Sequence, residues 1–220
     1  AQGVNVISCS IGWPIGGPGD GSGTICGMVK KARDAGILWS QAIGNSAQRH
    51  WKGKFSDTDS DKWHNFSGAD ETNTIYVGSG NRITVTLKWD DKWGASSNDY
   101  DLYLANSSLY IVWGSENEQN GNDDPWEGFS YTATYTGYYH IAIYKYSATR
   151  AVNFNLYSYN HNLQYQVAAS SFLVPADSPN AMTMGAVFWN NPTTLEFFSS
   201  QGPTKDGRVK PDLVAPDGVS

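Results

Sequence analysis

Short apolar runs separated by glycine-rich and helical segments mark the beginning of the chain. Residues 5–10 form an apolar-rich run that predicts a strand, and the Gly- and Pro-rich residues 12–23 predict a loop. Residues 24–35 place apolar side chains at helical spacing, and Gly36 follows where a helix commonly ends. Residues 37–43 predict a second strand, so we expect two parallel strands joined by a helix.

The middle of the chain alternates apolar and polar residues with a period of two, which is typical of half-buried strands. In the clearest case, Ile83, Val85, Leu87 and Trp89 share one face. Similar segments follow, separated by turns rich in Gly, Asn, Asp and Ser. They cover residues 101–105, 109–114, 128–134, 138–144 and 152–157. Such a series predicts an all-β sandwich.

After residue 166 the pattern of the first segment returns, with an apolar run at residues 181–187 that predicts another strand. The fold predicted from these patterns is a partial α/β domain with a parallel sheet. It would be built from residues 1–49 and 167–220 and interrupted by an inserted all-β sandwich at residues 50–166.

Charge and hydropathy argue against two classes of partner. The net charge of -6 and the pI near 5.1 argue against nucleic acid, whose binding needs clustered Lys and Arg. No apolar run approaches the roughly 20 residues of a membrane-spanning helix, and residues 1–8 lack the pattern of a signal peptide. We therefore expect neither a nucleic-acid nor a membrane partner.

The two cysteines, Cys9 and Cys26, fit neither the spacing of a zinc site nor a disulfide-rich scaffold. Their simplest interpretation is as small buried residues, and a disulfide between them is the alternative.

Three separated stretches resemble the subtilisin-like serine proteases, or subtilases, in the order in which that family carries them. The most specific is FSSQGPT at residues 198–204, continued by DGRVKPDLVAP at residues 206–216, which is similar to the segment before the family's nucleophile. Residues 6–12, VISCSIG, resemble the strand that pairs with the substrate backbone. Residues 36–45, GILWSQAIGN, resemble the strand that follows it.

This resemblance implies a secreted endopeptidase that cleaves polypeptides through a serine acyl-enzyme. It implies that Asn45 is the donor of the oxyanion hole, although a Gly-Asn pair after a strand is by itself most commonly a turn. By the same resemblance, the substrate groove would consist of Ser10, Ile11, Gly12, Ala42, Ile43 and Gly44, with Ala176 near the base of its pocket. The Val174–Pro175 peptide bond would be cis.

The sequence departs from the family by lacking the motifs of the catalytic triad. Neither Gly-Thr-Ser-Met, a His-Gly-Thr-like motif, nor a suitably placed Asp-Ser/Thr-Gly motif is present. Asp217–Gly218 also stands where the family usually places Gly directly after Ala-Pro. We therefore expect an internal piece of a protease domain that is inactive alone. The alternatives are a pseudo-protease, or a polysaccharide- or protein-binding sandwich on a non-catalytic scaffold.

DYDLYL at residues 99–104 and GYY at residues 137–139 make the predicted insertion resemble prepeptidase C-terminal domains, and this resemblance implies that the all-β sandwich is a jelly-roll inserted into a subtilisin-like α/β domain. Serine acylation requires no cofactor. Asp99 and Asp101, which alternation places on one face of a strand, offer oxygen ligands that suit Ca²⁺. Paired carboxylates at the start of a strand are more commonly solvated or turn-capping. The partners expected are a polypeptide substrate for the protease part and a polysaccharide or protein ligand for the sandwich.

Overall fold

The computed structural model describes residues 3–219, which group into two compact units. Arg49–Gln166 form the second unit, and the described residues on both sides of it form the first. In chain order the elements are β1 (Val6–Cys9), α1 (Gly23–Asp34), β2 (Leu38–Ala42), β3 (His50–Lys54), β4 (Asn73–Val77), β5 (Arg82–Trp89), β6 (Asp99–Ala105), β7 (Ile111–Ser115), β8 (Trp126–Thr132), β9 (Gly137–Ser147), β10 (Asn153–Ser158), β11 (Met182–Phe188), β12 (Asn191–Leu195) and β13 (Leu213–Asp217).

The first unit contains one five-stranded sheet in the order β1-β2-β11-β12, with β13 also paired to β11. The pairs β1–β2, β2–β11 and β11–β13 are parallel, as predicted for the first two strands. β12 instead runs antiparallel to β11. The α/β class applies at most to the β1–α1–β2 part, because the described chain is mostly strand and its one helix has 12 residues.

Helix α1 packs through a narrow face. Cys26 and Val29 are buried, whereas Met28 is 51% exposed. Gly36 has a φ of 77°, in the left-handed region that favours glycine, and it lets the chain leave the helix for β2. Among the described residues, no helix has the length and hydropathy needed to cross a bilayer.

The second unit contains two four-stranded antiparallel sheets, β3-β10-β5-β8 and β4-β9-β6-β7. Side chains from both sheets are fully buried, and aromatic rings form much of this core. Phe154 on β10 lies with its ring centroid 5.0 Å from that of Tyr100 on β6 and 6.3 Å from that of Phe55. The predicted apolar face of β5 is buried, as expected.

Four strands were not predicted, namely the short strands β3, β4, β12 and β13. β12 has the sequence NPTTL with every residue exposed, so apolar alternation gives no signal there. β5 is also more buried than predicted, although its sheet is antiparallel and such sheets commonly leave one face in solvent. Thr86 and Lys88, on its predicted solvent face, are both only 5% exposed.

Candidate substrate cleft

Asn45 lies in the loop that directly follows β2. Its side chain is exposed and forms no hydrogen bond with any of residues 3–219. The backbone on either side is fixed, because the Ser46 N–H donates to Ser200 Oγ over 2.8 Å and the Ser200 N–H donates to the Gly44 carbonyl over 2.9 Å. Asn45 is therefore an unpaired amide on a loop that is held in place by its neighbours.

Gly44 is a glycine for two separate reasons. Its φ of 114° is disfavoured for residues with a side chain. A Cβ at this position would also lie 2.9 Å from Leu173 Cγ and 3.1 Å from Ser200 Oγ. The turn that presents Asn45 therefore depends on the absence of a side chain at the preceding position.

The segment after β1 is a free sheet edge. Within residues 3–219, β1 pairs with β2 alone, and both Ser10 and Ile11 are exposed. The fully buried Gln41 of β2 fixes this segment, because its Nε2 donates to the Ile11 carbonyl over 2.9 Å. Sequence reasoning did not single out Gln41, although Ser40 and Gln41 are polar residues in an otherwise apolar run, which was a usable signal.

Leu173 lies between the two segments. A Cβ on Gly12 would be only 2.7 Å from Leu173 Cβ, and the Leu173 N–H donates to the Ile43 carbonyl over 3.0 Å. Val174 exchanges two backbone hydrogen bonds with Trp13, of 2.9 and 3.0 Å. We call the surface formed by Ser10–Gly12, Ala42–Asn45 and Leu173 the candidate cleft.

Two of the predicted groove residues, Ile43 and Ala176, are buried beneath the candidate cleft instead of being exposed on it. Ile43 and Ala176 are 1% and 0% exposed and form a core cluster with Phe172. Ile43 offers only its backbone to the cleft, and the half-buried side chain next to Gly12 and Gly44 is Leu173 rather than Ala176. The Val174–Pro175 peptide bond is cis, as predicted.

A small cavity adjoins Asn45 on the side of β11 and β13. Its volume is about 190 Å³, and Gly44, Asn45, Gly185 and Pro216 are among the residues that line it. Asn45 therefore borders open space beside the end of β2, the middle of β11 and the end of β13.

The first unit carries no histidine. All four histidines of the sequence lie between residues 50 and 161, in the second unit. Both cysteines are free, so the alternative of a Cys9–Cys26 disulfide is wrong for this structure. Burial, together with the nearby Asp177, raises the pKa of the Cys26 thiol to about 12, which keeps it protonated.

The two carboxylates predicted to bind calcium lie on β6 of the second unit. Asp99 and Asp101 are both 5% exposed, and the Tyr103 hydroxyl donates to Asp101 Oδ2 over 3.2 Å. Among the described residues, only the loop carboxylates of Asp57, Asp59 and Asp61 bring three ligand atoms within 4.8 Å of one another. Calcium at Asp99 and Asp101 stays a prediction.

Comparisons with known proteins cover both units of the chain. No curated protein matches the chain in sequence. The fold is similar to that of the CspB protease of Clostridium perfringens, with a TM-score of 0.68 and 16% identity over 96% of this chain and 48% of that one. The chain thus spans about half the length of that protease.

Two smaller solved structures are similar over about half of this chain. They are the pre-peptidase C-terminal domain of a Bacillus anthracis collagenase (TM-score 0.35, 18% identity, 56% of this chain and 96% of that chain) and PliG of Aeromonas hydrophila, a periplasmic inhibitor of g-type lysozyme (TM-score 0.30, 18% identity, 57% and 97%). At these TM-scores neither likeness supports an argument. The sequence profile of the subtilase family, Peptidase_S8, matches residues 1–219, and the chain therefore belongs to the subtilase family.

Proposed function

We propose that this chain is the part of a secreted subtilisin-like serine endopeptidase that stabilises the oxyanion and binds the substrate backbone. The family assignment supports a protease as the parent protein. The observation that carries the finer proposal is the amide of Asn45, which is exposed, unpaired among the described residues, and held on a fixed loop beside the candidate cleft.

The chemistry of acyl transfer explains why such an amide matters. When a serine attacks a peptide carbonyl, negative charge develops on the carbonyl oxygen. A donor already fixed at that position stabilises the transition state more than the substrate, and it needs no reorganisation during the reaction. Asn45 makes no hydrogen bond with residues 3–219 that it would have to give up in order to donate.

The free edge at Ser10–Gly12 suits an extended peptide. A peptide that adds to a sheet edge is bound mainly through its backbone, which gives affinity with little dependence on sequence. Gly12 adds no side chain to the space beside Leu173, so a substrate backbone can approach closely. In this proposal, Gln41 positions the edge through its hydrogen bond to Ile11.

Leu173 restricts the side chain that the cleft accepts before the scissile bond. Because it fills the space between Gly12 and Gly44, we expect a preference for small residues there. In the complete protease, Leu173→Gly should raise kcat/KM for phenylalanine relative to alanine at that position by about 10-fold or more. An unchanged ratio would contradict this use of Leu173.

The triad is proposed to lie outside this chain, in the remainder of the parent protein. The test is peptide hydrolysis by the complete protease and by the purified 220-residue chain. We expect turnover by the complete protease that a serine-directed inhibitor abolishes, and no turnover by the chain alone. Inhibitor-sensitive turnover by the chain would refute the missing triad, and an inactive complete protein would support the alternative of a non-catalytic scaffold.

For the second unit we propose a jelly-roll fold. The second unit has eight strands, β3 to β10. If they are renumbered from one to eight in chain order, the two sheets have the strand orders 1-8-3-6 and 2-7-4-5. Such an order, in which the first and last strands pair at one side of a sheet, supports two interlocked Greek keys.

A further inference from the structure

A wide pocket on the second unit is lined mainly by acids and tyrosines. Its volume is about 860 Å³, and we call it the acidic pocket. Asp99, Asp101 and Tyr103 of β6 form one wall, Tyr144 and Tyr146 of β9 contribute to another, and Lys62, Glu116 and Glu118 complete the lining. Four carboxylates therefore face a single ammonium group.

The deepest carboxylates lack a cationic partner. Asp99 and Asp101 are each 95% removed from solvent, since both are 5% exposed, and neither forms a salt bridge with any of residues 3–219. The buried Oδ1 of Asp99 has no hydrogen-bond partner among those residues. A buried carboxylate oxygen without a donor is destabilising, so this wall of the pocket favours a ligand that brings donors and positive charge.

The aromatic side of the pocket already accommodates an ammonium group. The Nζ of Lys62 lies 5.8 Å from the centroid of the Tyr144 ring. Trp63 packs between the tyrosines, with its ring centroid 4.9 Å from Tyr144 and 5.5 Å from Tyr103. Aromatic faces attract organic cations and also contact the methylene stem that carries them.

Size and spacing favour an organic cation over a bare metal ion. Calcium binds six to eight oxygens at about 2.3–2.6 Å, which requires carboxylates that converge on one point. Asp99 and Asp101 belong to no group of three acids whose ligand atoms lie within 4.8 Å among the described residues. A guanidinium carries five donors in a planar fork and can pair with two carboxylates at once, without a third acidic ligand.

We propose that the acidic pocket binds an arginine side chain of a polypeptide, with the guanidinium donating to Asp99 and Asp101 and the stem lying against Tyr103 and Tyr144. This site is separate from the candidate cleft, because every residue that lines it belongs to the second unit. It can therefore be correct even where the protease proposal fails.

The test is a titration of the full 220-residue chain with the blocked tripeptide Ac-Gly-Arg-Gly-NH₂, followed by NMR or calorimetry. The matched ligand has citrulline in place of arginine, which keeps the shape and removes the charge. The variants are Asp99→Asn and Asp101→Asn, with Asp59→Asn as the control because Asp59 is exposed and outside the pocket. All three variants remove one negative charge, and circular dichroism verifies that each one folds.

We expect saturable binding of the arginine peptide, weakened at least about 10-fold by citrulline and by either pocket variant, and changed less than about 2-fold by Asp59→Asn. The comparison of the two ligands needs no variant, so it stands even where a variant does not fold. Equal binding of the two peptides, or equal losses in all three variants, would overturn the proposal. Binding of CaCl₂ at Asp99 and Asp101 without binding of the arginine peptide would replace it with a metal site.

Discussion

The strands of the two units differ in how much of their surface is buried from solvent. In the second unit, six of the seven residues of β6 are buried. In the first, every residue of β12 and β13 is exposed and no residue of β1 is buried. Apolar side chains such as Val6, Leu213 and Val214 are about half exposed there. The second unit thus encloses its own core, whereas the sheet of the first leaves apolar surface that further protein would have to cover.

The largest expected effect of this difference is in backbone protection. Amide hydrogens in β5, β6 and β9 should exchange at least about 1000-fold more slowly than those in β1, β12 and β13, because local opening of the first unit loses few buried contacts. Hydrogen exchange followed by mass spectrometry measures this directly. Equal protection of the two units would show that the exposed strands are more stable than their burial indicates.

A substitution in the aromatic core sharpens the same comparison. Phe154 is fully buried and lies within 6.5 Å, between ring centroids, of Phe55, Tyr100 and Trp89. Phe154→Ala should lower the free energy of unfolding of the second unit by about 3–5 kcal/mol, because it removes buried apolar area and leaves a cavity.

The matched control is Tyr110→Ala, which truncates an aromatic side chain that is 72% exposed in the same unit. It should change stability by less than about 0.5 kcal/mol. Urea denaturation followed by tryptophan fluorescence measures both variants. A small effect of Phe154→Ala would mean that the second unit does not depend on this aromatic cluster.

The acidic pocket predicts a smaller effect that depends on pH. Burial raises the pKa of Asp101 to about 6, and the charges of Asp99, Glu116 and Glu127 add to this against the opposing hydrogen bond from Tyr103. A folded pKa above the ordinary value of 3.8 means that folding favours the protonated form. Stability from this group is therefore present below about pH 4 and is lost as pH rises through about 6.

Asp101→Asn should consequently stabilise the chain by up to about 3 kcal/mol at pH 7.5, and the difference from the unsubstituted chain should vanish near pH 4. Urea midpoints at the two pH values measure it. A variant that is less stable at pH 7.5 would show that the ionised carboxylate is already compensated. If Asp101 serves arginine binding at the expense of stability, Asp101→Asn should both raise the free energy of unfolding and weaken binding of the arginine peptide.

The sequence predicted the β1–α1–β2 arrangement because both of its periodicities and its terminating Gly36 are local signals. It also predicted the buried face of β5. It missed β12, where polar residues pair with β11 through the backbone alone, and it missed the burial of Thr86 and Lys88. Those features depend on which strands become neighbours, and periodicity carries no information about that.

The candidate cleft shows the same division. The resemblance to the family's motifs located Asn45 and the Ser10–Gly12 segment, whereas a Gly-Asn pair taken alone indicates only a turn. Motifs did not identify Leu173, whose contact with Gly12 and Gly44 joins residues more than a hundred positions apart in the chain. Leu173 reaches both glycines because the segment around the cis Val174–Pro175 bond forms backbone hydrogen bonds with Trp13 and Ile43.

The most direct test of the account is the turnover number of the complete protease carrying Asn45→Ala, measured beside Asn191→Ala as an exposed asparagine in the same unit. In subtilisin, removing an oxyanion-hole asparagine costs roughly a hundred- to a thousand-fold in kcat, and we expect a loss of that size here with KM little changed. The Asn191 variant should retain full activity. A change in kcat of less than about 3-fold for Asn45→Ala would contradict the assignment of this amide to the oxyanion hole.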